Sequence, residues 1–155
     1  MSRINKEYKK HYMHRNSKLN YWLAKSEPGD YSWDDLKRDQ TTRWDGVRNY
    51  QARNNLKMMK KGDLCFFYHS IHKPAIQGIM EVIREHYLDP GDEKQTFVAV
   101  DMKYVKPLAR PVSLAEIKQY EELCKLPLLK QSRLSVMPIK KEEWDFILTL
   151  ASKAL

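Results

Sequence analysis

The chain has 155 residues, 42% hydrophobic and 31% charged, with a formal net charge of +8. That length suits one domain whose core stands without disulfide or metal staples, and no apolar run approaches the roughly 20 residues of a membrane-spanning helix. The expectation is an intracellular protein, cytoplasmic if bacterial and nuclear if eukaryotic, without a secretory signal or membrane span, whose excess positive charge favours a polyanionic partner.

Residues 1–19 form a basic tail, with Arg3, Lys6, Lys9, Lys10, Arg15 and Lys18 against the single acid Glu7. Few aliphatics mean no fold of its own, and the tail suits either an electrostatic arm on a phosphate backbone or a solubilising terminus. The domain, residues 20–152, opens with a strand at Tyr21-Trp22-Leu23-Ala24 that runs into Lys25-Ser26-Glu27 and turns at Pro28-Gly29. Ser32 caps a helix over Trp33–Arg38, with Asp34 and Asp35 in its first turn. Residues 52–61 read as helix with Leu56, Met58 and Met59 inward and Gly62 as its stop. Leu64-Cys65-Phe66-Phe67-Tyr68 is a continuous β-forming run, which predicts a central strand buried on both faces. A hairpin leads to a strand over Ile76–Arg84, where Gly78 marks a bulge or a close approach of another backbone.

A third strand follows over Phe97–Val105. Ser113 and Glu116 have the spacing of a capping box for a helix over Leu114–Glu121, Ser132–Val136 alternates as a returning strand, and Lys140–Ala151 closes as a helix with Trp144, Ile147, Leu148 and Ala151 on its core face. Short strands with interspersed helices predict an α+β fold: a curved, mostly antiparallel sheet, open or closed into a small barrel, with helices on its rim. Cys65 and Cys124 are too far apart for a metal knuckle and read as reduced, buried thiols.

The chemistry concentrates in Trp44-Asp45-Gly46-Val47-Arg48-Asn49-Tyr50-Gln51-Ala52-Arg53-Asn54. Aromatic faces stack on bases, amides read base edges, and arginines hold phosphates, so the segment reads as a recognition surface and not a core strand. Trp44 is the stacking platform; Asn49 and Ser26 read the base edge, Asn49 alternatively stabilising a turn; Gly46 lets the backbone approach. Arg48, Arg53 and Arg133 meet flanking phosphates unless they are ordinary surface arginines. Lys25 and Glu27 stand at the rim unless they pair with each other. His69 donates to the ligand or is a satisfied structural residue, and His69 with His72 lacks the partners of a zinc site.

The motifs Tyr21-Trp22-Leu23-Ala24-Lys25-Ser26-Glu27-Pro28, Trp44 to Asn54, Phe66-Phe67-Tyr68-His69-Ser70 and Ser132-Arg133-Leu134-Ser135-Val136, in that order, resemble the successive signatures of the EVE domain family. The resemblance implies an α+β, PUA-like, mixed and mostly antiparallel pseudo-barrel related to YTH and ASCH domains. It implies a reader of modified bases, chiefly modified cytosine in DNA, that flips one nucleotide into a pocket. Lys25 and Ser26 then edge that pocket and Trp44 belongs to its cage, with Tyr31, Tyr68 and Tyr87 as candidates for the second wall. The full expected set is Lys25, Ser26, Glu27, Trp44, Gly46, Val47, Arg48, Asn49, Arg53, Tyr68, His69, Ser70, Arg133 and Leu134. The partner is DNA with modified bases, or RNA; neither cofactor nor metal is expected, and the protein reads as a monomer. Two competing readings remain: a nucleic-acid-modifying enzyme using Glu27, Asp45 and His69, and a protein-interaction module with an apolar patch around Trp44.

Overall fold

The computed structural model describes residues 19–154; the basic segment 1–18 lies outside the described residues. Six strands form one sheet: β1 (Tyr21–Ser26), β2 (Thr41–Trp44), β3 (Leu64–His69), β4 (Ala75–Leu88), β5 (Val98–Ser113) and β6 (Val136–Ile139). Among the described residues five α-helices accompany them, α1 (Trp33–Asp39), α2 (Tyr50–Met58), α3 (Leu114–Ile117), α4 (Pro127–Lys130) and α5 (Lys141–Ala151), with a 3-10 turn over Glu121–Leu123. The strand order is β2-β5-β4-β3-β1-β6. Among the described residues only the β1–β3 pairing is parallel. The architecture is the mixed α+β sheet expected, and it is open: among the described residues no pairing joins the edge strands β2 and β6.

The apolar run at residues 64–68 is the central strand. Its first five residues are buried, and successive side chains leave opposite faces. Phe66 stacks on Trp144 of α5, centroids 3.7 Å apart. Phe67 meets Trp33 of α1 and Trp44 of β2 edge-on, at 5.4 and 5.5 Å. The second of these faces carries the site, so the core aromatics and the recognition segment share one wall.

Local signals explain most boundaries. Ser32 accepts from the Asp35 N–H and Asp35 accepts from the Ser32 N–H, a complete capping box for α1. Gly78 lies at register shifts on both flanks, and the body pressed against it is the Trp33 indole, not another backbone. Asp63, 2% exposed, accepts from the Trp22 indole N–H at 3.0 Å, the Lys60 N–H at 2.9 Å and the Asn20 N–H at 3.2 Å.

Several expectations are corrected. Helix α2 begins at Tyr50 and ends at Met58, because the chain must extend for Asp63 to capture the Lys60 N–H. Met58 is therefore exposed, Met59 is buried, and Gly62 belongs to the following turn with its N–H on Val82 O. Strands β4 and β5 outrun their predicted ends; Pro107 and Pro111 are accommodated in β5, Pro107 pairing with Gly78 beside a register shift. At the α3 start Ser113 caps the Glu116 N–H, but the Glu116 carboxylate turns to Arg110 through two 2.7 Å bonds. The helix stops at Ile117. Segment 132–135 is turn, and the returning strand starts at Val136. Cys65 is buried, whereas Cys124 is exposed.

Candidate nucleic-acid interface

A cavity of about 650 Å³ opens where β1 and β2 end. From β1 come Lys25, Ser26 and Glu27, and from the turn after it Asp30 and Tyr31. Thr42, Arg43 and Trp44 of β2, followed by Asp45 and Gly46, form the opposite wall. The volume suits a small ligand or one nucleobase. Its lining joins two aromatics, two cations and three carboxylates, which are acceptors that match amino groups on a base edge.

Each wall is fixed from below. The Ser26 hydroxyl donates to Tyr31 O at 2.5 Å, closing the turn that presents Tyr31, and the Tyr31 hydroxyl donates to Asp39. The Ser70 N–H and hydroxyl both reach Ser26 O, so Ser70 positions β1 from outside the cavity. Lys25 Nζ donates to Ser132 O at 3.0 Å, and its half-burial pulls the ammonium pKa below the ordinary lysine value. Gly46 has φ of 74°, a left-handed conformation that glycine adopts at little cost, and its N–H donates to Asp89.

The structure separates the expected residues into groups. Lys25, Ser26, Glu27, Trp44 and Gly46 converge on the cavity. Trp44 is a strand end only 7% exposed; it is core and cavity floor at once, not a free surface platform. Val47, Tyr68 and Leu134 are buried in the core, and burial pushes the Tyr68 hydroxyl up to about 12. Asn49 caps α2, accepting from the Ala52 N–H at 2.9 Å. With Arg133 and Leu134 it lines a separate hollow of about 270 Å³. His69 Nε2 accepts from the Trp33 N–H at 2.9 Å, and burial lowers its pKa; it is the satisfied structural histidine. Glu27 and Asp45 share the cavity without it.

Arg48 and Arg53 are committed to a ladder. Arg53 lies over the Tyr50 ring, Tyr50 stacks on Phe97, and Arg48 lies over the other ring of the pair. Arg48 also donates to Asp89 Oδ2 at 2.9 Å. Of the three tyrosines considered for the second wall, Tyr31 alone lines the cavity with Trp44. Thr42, Arg43 and Asp30 are members that sequence reasoning did not assign, and Asp45 entered only through the enzyme reading; no alternation in Thr41-Thr42-Arg43-Trp44 announced the strand that carries two of them.

Asp89 organises the loops. Burial alone would raise its pKa, but Arg48 and the N–H groups of Gly46 and Gly91 hold the carboxyl below the usual range. A carboxylate with a lowered folded pKa adds stability that is present above its unfolded value and lost as pH falls through the folded one. Asp89→Asn is therefore expected to cost about 1.5–3 kcal/mol at pH 7. Urea titrations should show the gap to the parent closing below about pH 4; a gap independent of pH would contradict the assignment.

A family model described as the EVE domain matches residues 20–150. Thymocyte nuclear protein 1 of Homo sapiens is 38% identical over 167 residues, covering 86% of this chain and 74% of the relative. The crystal structure of human THYN1 protein in complex with 5-methylcytosine-containing DNA superposes with a TM-score of 0.82 at 37% identity, covering 88% of this chain and 99% of that one. The YTH domain of Zygosaccharomyces rouxii MRB1, solved with N6-methyladenosine RNA, shares the fold alone, at 16% identity and a TM-score of 0.54 over 90% of this chain and 88% of that one. The chain belongs to the EVE domain family.

Proposed function

We propose that this domain is a non-catalytic reader of a modified base, a modified cytosine in DNA foremost, held flipped out in the cavity between β1 and β2. The observation that carries the reading is the convergence of Tyr31, the Trp44 floor, Lys25, Ser26 and three carboxylates on one base-sized space. The relative's complex with 5-methylcytosine-containing DNA supports the same ligand class.

Unstacking a base costs a few kcal/mol. Trp44 contributes less than a full stacking face because it is nearly covered, so Tyr31 supplies the larger part of the roughly 1–3 kcal/mol expected of an aromatic wall. Glu27 and Asp45 accept from an exocyclic amino group, the pattern that separates cytosine from thymine. Lys25, already tied to Ser132 O, meets the flanking backbone. The commitment of His69 to the Trp33 N–H favours binding over acid-base catalysis, and the polar lining of the cavity disfavours an apolar protein-docking patch.

The test is binding to matched oligonucleotides carrying cytosine, 5-methylcytosine, 5-hydroxymethylcytosine or N6-methyladenine at one site, at near-physiological salt. A preference for one modified base is expected; equal weak binding to all four refutes the reading. The tail serves as an electrostatic arm, so deleting residues 1–18 should weaken every sequence alike and flatten the dependence of affinity on salt. An unaltered salt slope would dismiss the arm.

A further inference from the structure

A second cavity, about 520 Å³, shares Thr42 and Arg43 with the first. Its remaining walls include Arg84 and Tyr87 of β4 and Asp101 of β5. The register sets Arg43, Asp101 and Arg84 in one row across three neighbouring strands, Asp101 pairing with Arg43 on one side and Arg84 on the other. Two guanidinium groups therefore flank one carboxylate. That carboxylate accepts from the Tyr87 hydroxyl.

Arg84 lies over the Tyr87 ring, with its guanidinium carbon 3.8 Å from the centroid. Among the described residues it forms no ion pair. Stacking covers one face of a guanidinium and leaves its N–H edge in plane and free to donate. The ring also restricts the side chain before any ligand arrives, which lowers the ordering cost of binding. A stacked arginine beside a second arginine, with a surplus of one positive charge, matches a singly charged tetrahedral oxyanion.

We propose that this second cavity is a phosphodiester subsite, in which Arg84 and Arg43 hold the backbone of the same strand next to the nucleotide whose base enters the first cavity. The inference rests on the base-reading function proposed above. Arg43 stands between the two spaces, so the strand crosses β2 with its base on one side and its phosphate on the other. Arg84 carries no base information and serves affinity and register.

The experiment combines Arg84→Ala and Arg84→Lys with a methylphosphonate scan of the phosphates around the modified base. Arg84→Ala is expected to weaken modified and unmodified oligonucleotides alike by about tenfold and to lower the salt slope by about 1. Arg84→Lys should keep the slope while losing part of the affinity. One neutral phosphate beside the modified nucleotide should weaken the parent by a similar factor and cost Arg84→Ala nothing further. The subsite is overturned if Arg84→Ala binds with parental affinity and slope, or if its losses simply add to those of every neutralised phosphate. Failure of the base-reading function has a different signature: the parent would not distinguish modified from plain DNA, while the methylphosphonate scan would still read Arg84. Residue 84 is exposed, so thermal unfolding of the variants should match the parent.

Discussion

Trp44→Ala is expected to lose about 3–5 kcal/mol of folding stability, a large share of the 5–15 kcal/mol typical of a domain. Trp44 is 7% exposed and packs edge-on against Phe67, so its removal opens a void in the core before it alters any ligand. Urea denaturation checks this directly; a midpoint equal to that of the parent would mean the indole is dispensable to the core. The variant is consequently a poor test of base recognition on its own. Tyr31→Ala separates the two effects, because Tyr31 is only partly buried and reaches the cavity from a turn. It should keep most of the stability and lose at least about fivefold of the affinity for the modified oligonucleotide. Retention of full preference in Tyr31→Ala would remove Tyr31 from the pocket.

Gly78→Ala is expected to be nearly as damaging. A Cβ at residue 78 would sit 2.2 Å from Trp33 Cζ2 and 2.4 Å from Cη2, distances at which something must move. The indole has little room to do so, lying between Phe67 at 5.4 Å and Tyr104 at 4.9 Å, while its backbone N–H is held by His69. Overpacking of this kind costs about 3 kcal/mol, the upper end of its usual range. Trp33→Phe removes the ring atoms that collide, so the double variant should be more stable than the sum of the single losses predicts. Additive losses in a thermal or urea double-mutant cycle would show that the clash is relieved elsewhere.

Much of the scaffold was readable because its causes are local. Ser32 and Asp35 announce a helix start within four residues, the run at 64–68 announces a doubly buried strand, and Trp144 sits at helical spacing with Ile147 and Ala151. The segment from Trp44 to Asn54 contributes only Trp44, Asp45 and Gly46 to the cavity. Its polar side chains look unsatisfied in isolation, which favours a surface reading. In the fold, Arg48 finds Asp89 41 residues away and Arg53 reaches Thr96 O, partners that no local pattern reveals. Asn49 is spent on its own helix. Pro107 and Pro111 lie in β5 beyond the predicted end of the third strand, where register shifts against β4 accommodate them. The half of the pocket carried by Lys25, Ser26, Glu27 and Trp44 was legible from the motifs. The part carried by Thr42 and Arg43 needed the strand geometry.

The position of β1 has a consequence for how the protein comes into being. Its partners are β3 and β6, the latter through pairing from Tyr21 to Ala24 and the Lys25 N–H on Ser135 O. During synthesis the earliest strand therefore waits for the latest one before both its edges are closed. Lys25, Ser26 and Glu27 stand at the end of that strand, so the cavity wall they form is held along both edges only when the sheet is finished. A nascent chain stalled before residue 136 carries every residue lining the cavity yet lacks the strand that closes the outer edge of β1.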